Sequence, residues 1–287
     1  RPVVHGAGRD WQETIDAAFF YVHSTAHAST PCSVAPFGLG QRDFYLGHVF
    51  WDTDSYILPA VLPANPPASR AMLDYRSRLL QAARFHAAMN GYRGVQYPWQ
   101  TGNHGGEVTN VWARGGITEH HISLDVAYAF ALYDHAADDE IFRREQAWPV
   151  LQGVAEWISS RVTETGRGYE IRHVTGVDEG LDNVHNNSYT NAAAIVVLRE
   201  AMAMAHRLGY ASPPRWRELA ERMFLPVDPD THVLAKNDAY VAGADHPCPE
   251  PLGVMFLMNY SHSEQVDRAT RKAFLDLAEH YLGMPML

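Results

Sequence analysis

Only two cysteines, Cys32 and Cys248, occur in the 287 residues, which excludes a disulfide-stapled scaffold. Neither lies in a Cys-x-x-Cys or Cys/His arrangement with metal spacing, so both are expected to be buried structural thiols. Lysine is nearly absent, Lys236 and Lys272 being the whole complement, and 23 Lys+Arg against 33 Asp+Glu give a formal net charge of -10. That balance argues against nucleic acid as a partner, because such affinity comes mostly from cations set against phosphates. No apolar run reaches the roughly 18 residues a membrane helix needs, and no charged-then-apolar leader starts at Arg1. The expectation is a cytoplasmic chain with no membrane partner. Phosphate-cradling P-loop, Gly-x-Gly-x-x-Gly dinucleotide turn and Gly-x-Ser-x-Gly nucleophile motif are all missing.

What is present is helical periodicity, in a chain with 46% hydrophobic residues, enough for a substantial core. The first helix runs from Trp11 to about His27, with Trp11, Ile15, Ala18, Phe19 and Val22 on one face. A second runs from Asp52 to Leu62, and Pro66-Pro67 open a longer one through Met89 that Asn90-Gly91 stops. Further helices are expected at Ile122 to Ala137, Ile141 to about Val162, Tyr189 to Leu208, Pro213 to Phe224, and about Ser263 to Leu282. Residues Tyr92 to Glu119 lack helical period and read as a long functional loop. Gly168 to Val174 alternates like a short strand and leads into a polar loop, Thr175 to Ser188. Helical hairpins separated by long polar loops predict an all-α bundle, solenoid or closed toroid, the toroid being favoured because its loops would gather into a sugar cleft.

Four polar clusters carry the chemistry. The densest runs from Gly176 to Asn191 and crowds acids, amides and an imidazole before a helix. Capping of that helix accounts for two or three of these residues; a sugar site would use the amides for hydroxyls and one carboxylic acid against the glycosidic oxygen. The second, Gly47 to Asp54, interleaves aromatics that fit a pyranose face with carboxylates that accept from hydroxyls. Its structural alternative is a cap by Asp52 or Thr53 with Trp51 as a staple. The third comprises Tyr97 to Asn103 with Glu107, followed by Glu119-His120-His121-Ile122-Ser123. The fourth is Lys236-Asn237-Asp238, where an ordinary lysine would be solvated. Sixteen histidines raise the question of a metal, with Glu119-His120-His121 the best candidate, but neighbouring loop residues point apart and no His-Glu-x-x-His occurs. His121 is better read as a buried, hydrogen-bonded residue behind the cleft.

The segments GHVFWDTD, PWQ, EHHIS, GVDEGLDNVHNNSYTN and KNDA, in that order, resemble glycoside hydrolase family 65, whose corresponding stretches read GHxFWDTE, PWE or PWQ, EIHIS, GPDEYHxxVxNNxYTN and KQAD. The resemblance covers most of the chain. It implies an (α/α)6 barrel with a glucosyl unit in its central pocket, contacted by Trp51, Asp52, Trp99, Gln100, Lys236 and Asn237, and a general acid at Glu179. It further implies an inverting reaction on a small α-glucoside such as a disaccharide, with no metal or organic cofactor, and pairing of two barrels as a homodimer. Where the family carries Tyr-His after the acid, this chain has Gly180-Leu181; Gln100 and Asn237 stand where many members carry Glu and Gln.

Family members begin with a large β-sandwich and continue past the Lys-Gln element. About eight helices are counted here against twelve in a closed toroid, so the expectation is an incomplete barrel over 1–287. The point where phosphorylases carry a Ser-rich phosphate run reads Leu282 to Leu287 without a hydroxyl, which leans towards a hydrolase. The alternatives are an inverting disaccharide phosphorylase, with inorganic phosphate as co-substrate, a non-catalytic sugar-binding fragment, and a helical-repeat interaction protein without a pocket.

Overall fold

The computed structural model describes residues 3, 5, 9–40, 45–110, 113–180, 183–240 and 250–280. Cys248, Leu181 and the terminal 282–287 run therefore lie outside the described residues. Helices dominate, as the periodicity predicts: α1 Arg9–Thr25, α2 Leu58–Val61, α3 Pro66–Arg78, α4 Leu80–Met89, α5 His121–Ala137, α6 Glu140–Phe142, α7 Trp148–Arg161, α8 Ser188–Arg207, α9 Pro214–Arg222, α10 Glu250–Leu257 and α11 Glu264–His280.

Local chemistry sets several boundaries. Asn65 accepts from the Ala68 N–H and Pro66-Pro67 follow it, which starts α3. Asp139 accepts from the N–H groups of Ile141 and Phe142 to start α6, while α5 stops at Asp138 in the left-handed region. A π-turn at Arg143–Ala147 joins α6 to α7 in one rod, and another at Thr53–Ile57 precedes α2. The expected single helix over 66–89 is tightened at Leu79, whose N–H bonds back to the carbonyls of Tyr75 and Arg76.

At the centre, α5, α7 and α8 pack against one another, with α9 on the outside of α8. Helix α5 is buried on nearly every side, which is why its apolar residues run all the way round it instead of forming a single stripe. Trp157, Tyr169, Tyr189, Phe130 and Phe142 are fully buried, and the Phe130 and Phe142 rings stack at 5.8 Å. Small residues, Ala192, Ala193, Ala194 and Ala201, let the neighbours approach α8 closely.

Four expectations are corrected. The segment 168–174 is not one strand: β2 Gly168–Glu170 pairs with β1 Thr163–Thr165, whereas β3 Arg172–Val174 pairs with β4 Val184–His185. Between them the chain changes partner at Ile171, and His173 takes a positive φ of 55°. Helix α10 went unforeseen because Pro251 and Gly253 within eight residues read as loop. On α1, Ile15, Phe19 and Val22 are half-buried, but Trp11 and Ala18 stand exposed; among the described residues the helix packs mainly on α2 and the short turn Gly38–Gly40. Cys32, expected to be buried, is an exposed free thiol.

Beneath the second polar cluster, Gly47 to Asp54, Arg76 of α3 is fully buried. Its Nη2 lies 2.5 Å from Asp54 Oδ2 and also donates to the Phe50 carbonyl at 3.1 Å, while Nη1 donates to Thr101 Oγ1 at 2.9 Å. Tyr97 OH donates to the Arg76 carbonyl. One guanidinium thus pins the 50–54 segment to the 97–101 segment. Burial pushes the Asp54 pKa up, with Arg76 opposing. Arg76→Met strands that carboxylate, and urea denaturation is expected to show a loss of about 3–5 kcal/mol. The double change Arg76→Met/Asp54→Leu should recover much of it; if the single change is neutral, the pair is not the anchor described.

Candidate functional site

Four segments distant in sequence meet above this anchor. The first carries Trp51 and Asp52 at the start of the 51–61 helical stretch. Asp52 makes no side-chain capping bond, and Thr53 Oγ1 donates instead to the Val34 carbonyl, so the capping alternative for this cluster does not hold. Trp51 packs edge-on against His121 and Tyr189 and at a tilt against Tyr56.

The second segment is the long loop. Glu107 folds it by accepting from the N–H groups of Trp99 and Gln100 and from Thr109 Oγ1, at 2.8, 3.2 and 2.6 Å. Trp99 lies at right angles to Phe50, with ring centres 5.1 Å apart. Its indole is pressed on Gly116, where an added Cβ would come 2.3 Å from Trp99 Cε3. Gln100 Nε2 donates to His48 Nδ1 at 2.6 Å.

The third segment begins α5 and forms a buried chain of polar groups. His121 Nε2 lies 3.2 Å from Glu119 Oε2, His121 Nδ1 lies 2.7 Å from Asp125 Oδ2, and Tyr189 OH donates to Asp125 Oδ1 at 2.8 Å. His121 is buried and hydrogen-bonded, as its sequence context suggests. Burial opposes its charge, yet Asp125 and Glu119 outweigh that and hold its pKa up to about 10. Glu119 is pushed by burial to about 7, with His121 opposing. The adjacent His120 goes the other way. Burial and the neighbouring Arg161 push it down to about 3, and its neutral Nδ1 accepts from Arg161 Nε at 2.9 Å. Two consecutive imidazoles therefore hold opposite protonation states at neutral pH.

The fourth segment, between β3 and β4, carries Glu179. Lys236, far from being solvated, is fully buried, with Nζ 2.8 Å from Asp178 Oδ2. The Asp178 N–H donates to Glu250 Oε1 at 2.7 Å, and Asn187 Nδ2 donates to Glu250 Oε2 at 3.0 Å. Asn187 also caps α8 by accepting from the Thr190 N–H, so capping and bracing share one amide. Gly176 sits so close that a Cβ there would come 2.3 Å from Glu250 Oε1. Asn237 is buried, with Oδ1 accepting from the Ala239 N–H.

Glu179 itself is exposed at the rim of this arrangement. Its pKa is raised by desolvation and by Asp52 and Asp178, with His121 opposing. Asp52 is raised by burial and by Asp54 and Asp125, and the Tyr45 hydroxyl is raised by burial, Glu179 and Asp52. Glu179, Asp52, Glu119, His121 and Tyr45 therefore lie within electrostatic reach of one another, with Trp51 and Trp99 as flanking aromatic faces and Lys236 joined through Asp178. Gln100 and Asn237 belong to the same segments but make no hydrogen bond to Glu179 among the described residues. Asp125 and Glu250 were not singled out from the sequence, and Glu119 and Tyr189 entered there only as members of the polar clusters, Glu119 also within a candidate metal site. Among the described residues, no group of three or more His, Cys, Asp or Glu side chains is arranged to hold a metal ion, and no helix is long and apolar enough to cross a membrane.

Both Glu119 and His121 bind protons more tightly folded than unfolded. The Glu119 contribution is present below about pH 4.5 and lost by about 7; that of His121 is present below about 6.5 and lost by about 10. Raised Asp52, Glu179 and Glu250 act in the same sense. Because the lowered His120 acts in the opposite sense below about pH 6.5, stability measured by urea denaturation should fall between about pH 6.5 and 10, and His121→Gln should flatten that fall. An unchanged slope in the variant would contradict the protonated state of His121.

The Glycosyl hydrolase family 65 central catalytic domain matches residues 16–250. Kojibiose hydrolase of Flavobacterium johnsoniae is 38% identical over 230 residues, covering 80% of this chain and 34% of that protein. Kojibiose phosphorylase of Caldanaerobacter subterraneus subsp. tengcongensis is 32% identical, covering 79% and 33%. Protein-glucosylgalactosylhydroxylysine glucosidase of Gallus gallus is 36% identical, covering 73% and 31%. The chain thus spans about a third of the length of the curated relatives it matches. A solved structure from the human microbiome, provisionally assigned as a kojibiose phosphorylase, superposes on 92% of this chain and 42% of its own with a TM-score of 0.77 at 21% identity, and so shares its all-α, (α/α)6-type fold. With the match extending over most of its length, the chain belongs to glycoside hydrolase family 65.

Proposed function

We propose that this chain supplies the sugar-binding and acid-bearing part of an inverting enzyme that cleaves a small α-glucoside such as a disaccharide, with Glu179 as general acid and water as nucleophile. The observation that carries this reading is the environment of Glu179, an exposed carboxyl within electrostatic reach of Asp52, Asp178, Glu119 and His121, whose pKa is raised by desolvation and by Asp52 and Asp178. Trp51 and Trp99 offer apolar faces to the glucosyl unit. Asp52, Gln100, Lys236 and Asn237 supply hydrogen-bonding groups around it. Glu179 transfers its proton to the leaving oxygen as the anomeric C–O bond breaks, and a nucleophile enters from the opposite face. Relatives bearing the names of a hydrolase and a glucosidase support water in that role. The related kojibiose phosphorylase supports the second reading, in which inorganic phosphate attacks and the sugar leaves as β-glucose 1-phosphate. Neither reading calls on a metal or organic cofactor.

The test is release of glucose and of glucose 1-phosphate from trehalose, kojibiose, nigerose and maltose, with and without phosphate. Phosphate-independent glucose is expected, with Glu179→Gln lowering turnover by about 10²–10⁴-fold. The same variant should lose much less on α-glucosyl fluoride, whose leaving group needs no proton. Turnover should also decline as pH rises through the elevated Glu179 pKa. Phosphate-dependent glucose 1-phosphate would establish the phosphorylase instead, and an unimpaired Glu179→Gln would remove the acid from its assigned role.

A further inference from the structure

Outside the sugar recess the structure has a second concavity, a pocket of about 260 Å³ whose lining includes Tyr92, Thr118, His120, Arg161, Arg172 and His173. Two arginines and two histidines thus meet in a chain of net charge -10, and among the described residues no Asp or Glu lines the same space. None of its lining residues belongs to the recess. His121 is gripped between Glu119 and Asp125 on the recess side, whereas its neighbour His120 turns to Arg161 and packs edge-on against Trp157 and Tyr92.

Arg161, at the end of α7, needs a physical reason. It is only 8% exposed, and among the described residues no carboxylate pairs with it. Its Nε donates to His120 Nδ1 at 2.9 Å and its Nη2 to the Arg172 carbonyl, both neutral acceptors, and the guanidinium sits over the Tyr92 ring, 5.5 Å from its centre. Nη1 makes no hydrogen bond and is not one of the fully buried atoms, so it opens on the pocket. A guanidinium stays protonated, and a buried cation without a counter-charge loses hydration that neutral acceptors restore only in part. Burial accordingly pushes its pKa down, with Tyr92 opposing. His120 is set in the same sense: with Nδ1 accepting from Arg161, its one proton sits on Nε2, a donor with no protein partner. Arg172 is paired through Nε with Glu170, which Arg167 also holds, and its Nη groups make no hydrogen bond.

We propose that this pocket is an oxyanion site, holding a phosphate group between the Arg161 and Arg172 guanidinium groups with the His120 Nε2–H as a third donor. Phosphate matches this set because its several acceptor oxygens fit planar guanidinium forks and its charge supplies what Arg161 lacks. The small volume suits the free ion or the phosphate end of a small ester. Once bound, the anion bridges α7 to β3. It also braces the neighbouring recess: the Thr175 N–H donates to the Thr118 carbonyl at 3.1 Å and the two threonine hydroxyls lie 2.9 Å apart, which joins the segments leading to Glu119 and Glu179. The site is distinct from phosphate as a co-substrate, which would have to enter beside Glu179; neither Arg161 nor His120 bears on the Glu179 carboxyl.

Calorimetric titration of the 287-residue chain with inorganic phosphate and with glycerol phosphate, at constant ionic strength, tests this on the parent, Arg161→Lys and Arg172→Gln. Arg161→Lys keeps the charge and loses the fork. Arg172→Gln changes a half-exposed residue whose partner Glu170 stays held by Arg167, so the melting temperature of the parent is expected to be kept. Each variant should bind phosphate about 10- to 100-fold more weakly, and saturating phosphate should raise the melting temperature of the parent more than that of either variant. The ring proton and nitrogen resonances of His120 should show the Nε2–H tautomer and should shift as phosphate is added to the parent. Tighter binding of glycerol phosphate would identify an ester as the source of the phosphate group, and the reverse order the free ion. Phosphate that fails to bind, binds all three proteins alike or leaves the His120 resonances in place would overturn the site while leaving the sugar recess standing. Should Arg161→Lys fail to fold, Arg172→Gln and the His120 resonances of the parent decide.

Discussion

Concentrated negative charge is the constraint on which the rest of this structure depends. Asp52, Asp54, Glu119, Asp125, Asp178, Glu179 and Glu250 converge on one recess, and carboxylates brought together out of water repel one another and lose hydration. Three cations, all buried, offset this: Arg76 at Asp54, His121 between Glu119 and Asp125, and Lys236 at Asp178. Each comes from a different part of the chain, so satisfying the charges and folding the recess are a single event. The compensation is uneven. Glu179 and Asp52 make no ion pair among the described residues, and desolvation followed by neighbouring carboxylates holds their protons more tightly, with His121 opposing.

That unevenness connects architecture with chemistry. In the proposed reaction a general acid must keep its proton until the leaving oxygen accepts it, and partial desolvation with like-charged neighbours raises the Glu179 pKa in the required direction. Other carboxylates act as supports by accepting from backbone N–H and side-chain amide groups. Glu250 holds the loop of Glu179 through the Asp178 N–H and Asn187, while Glu107 folds the loop that presents Trp99 and Gln100. Small residues are needed at Gly176 and Gly116 because these supports approach the backbone closely.

Much of the fold was legible beforehand because helical periodicity is a local property. Helices α5, α7, α8, α9 and α11 fall within a few residues of the boundaries expected from apolar spacing and from Pro, Asn and Asp at their ends. What local pattern could not convey was partner choice. The 168–174 stretch alternates throughout, yet its two halves pair with different strands, and α10 hides behind Pro251 and Gly253. On α1, amphipathicity pointed to a face, but how far that face is covered depends on the neighbours that reach it.

The sequence by itself determined the helical class and the order of the five polar segments, and thereby the family; local spacing carries that information without reference to the rest of the chain, and the proposal of Glu179 as the acid follows from the family resemblance. The tertiary structure alone decided which charges are buried together and what state each holds. His120 and His121 are chemically identical neighbours, yet one is neutral beside Arg161 and the other a cation between two carboxylates. Lys236 could have been a solvated surface residue and is instead fully buried against Asp178. Protonation and desolvation depend on atoms contributed by distant segments, and no window of sequence contains them.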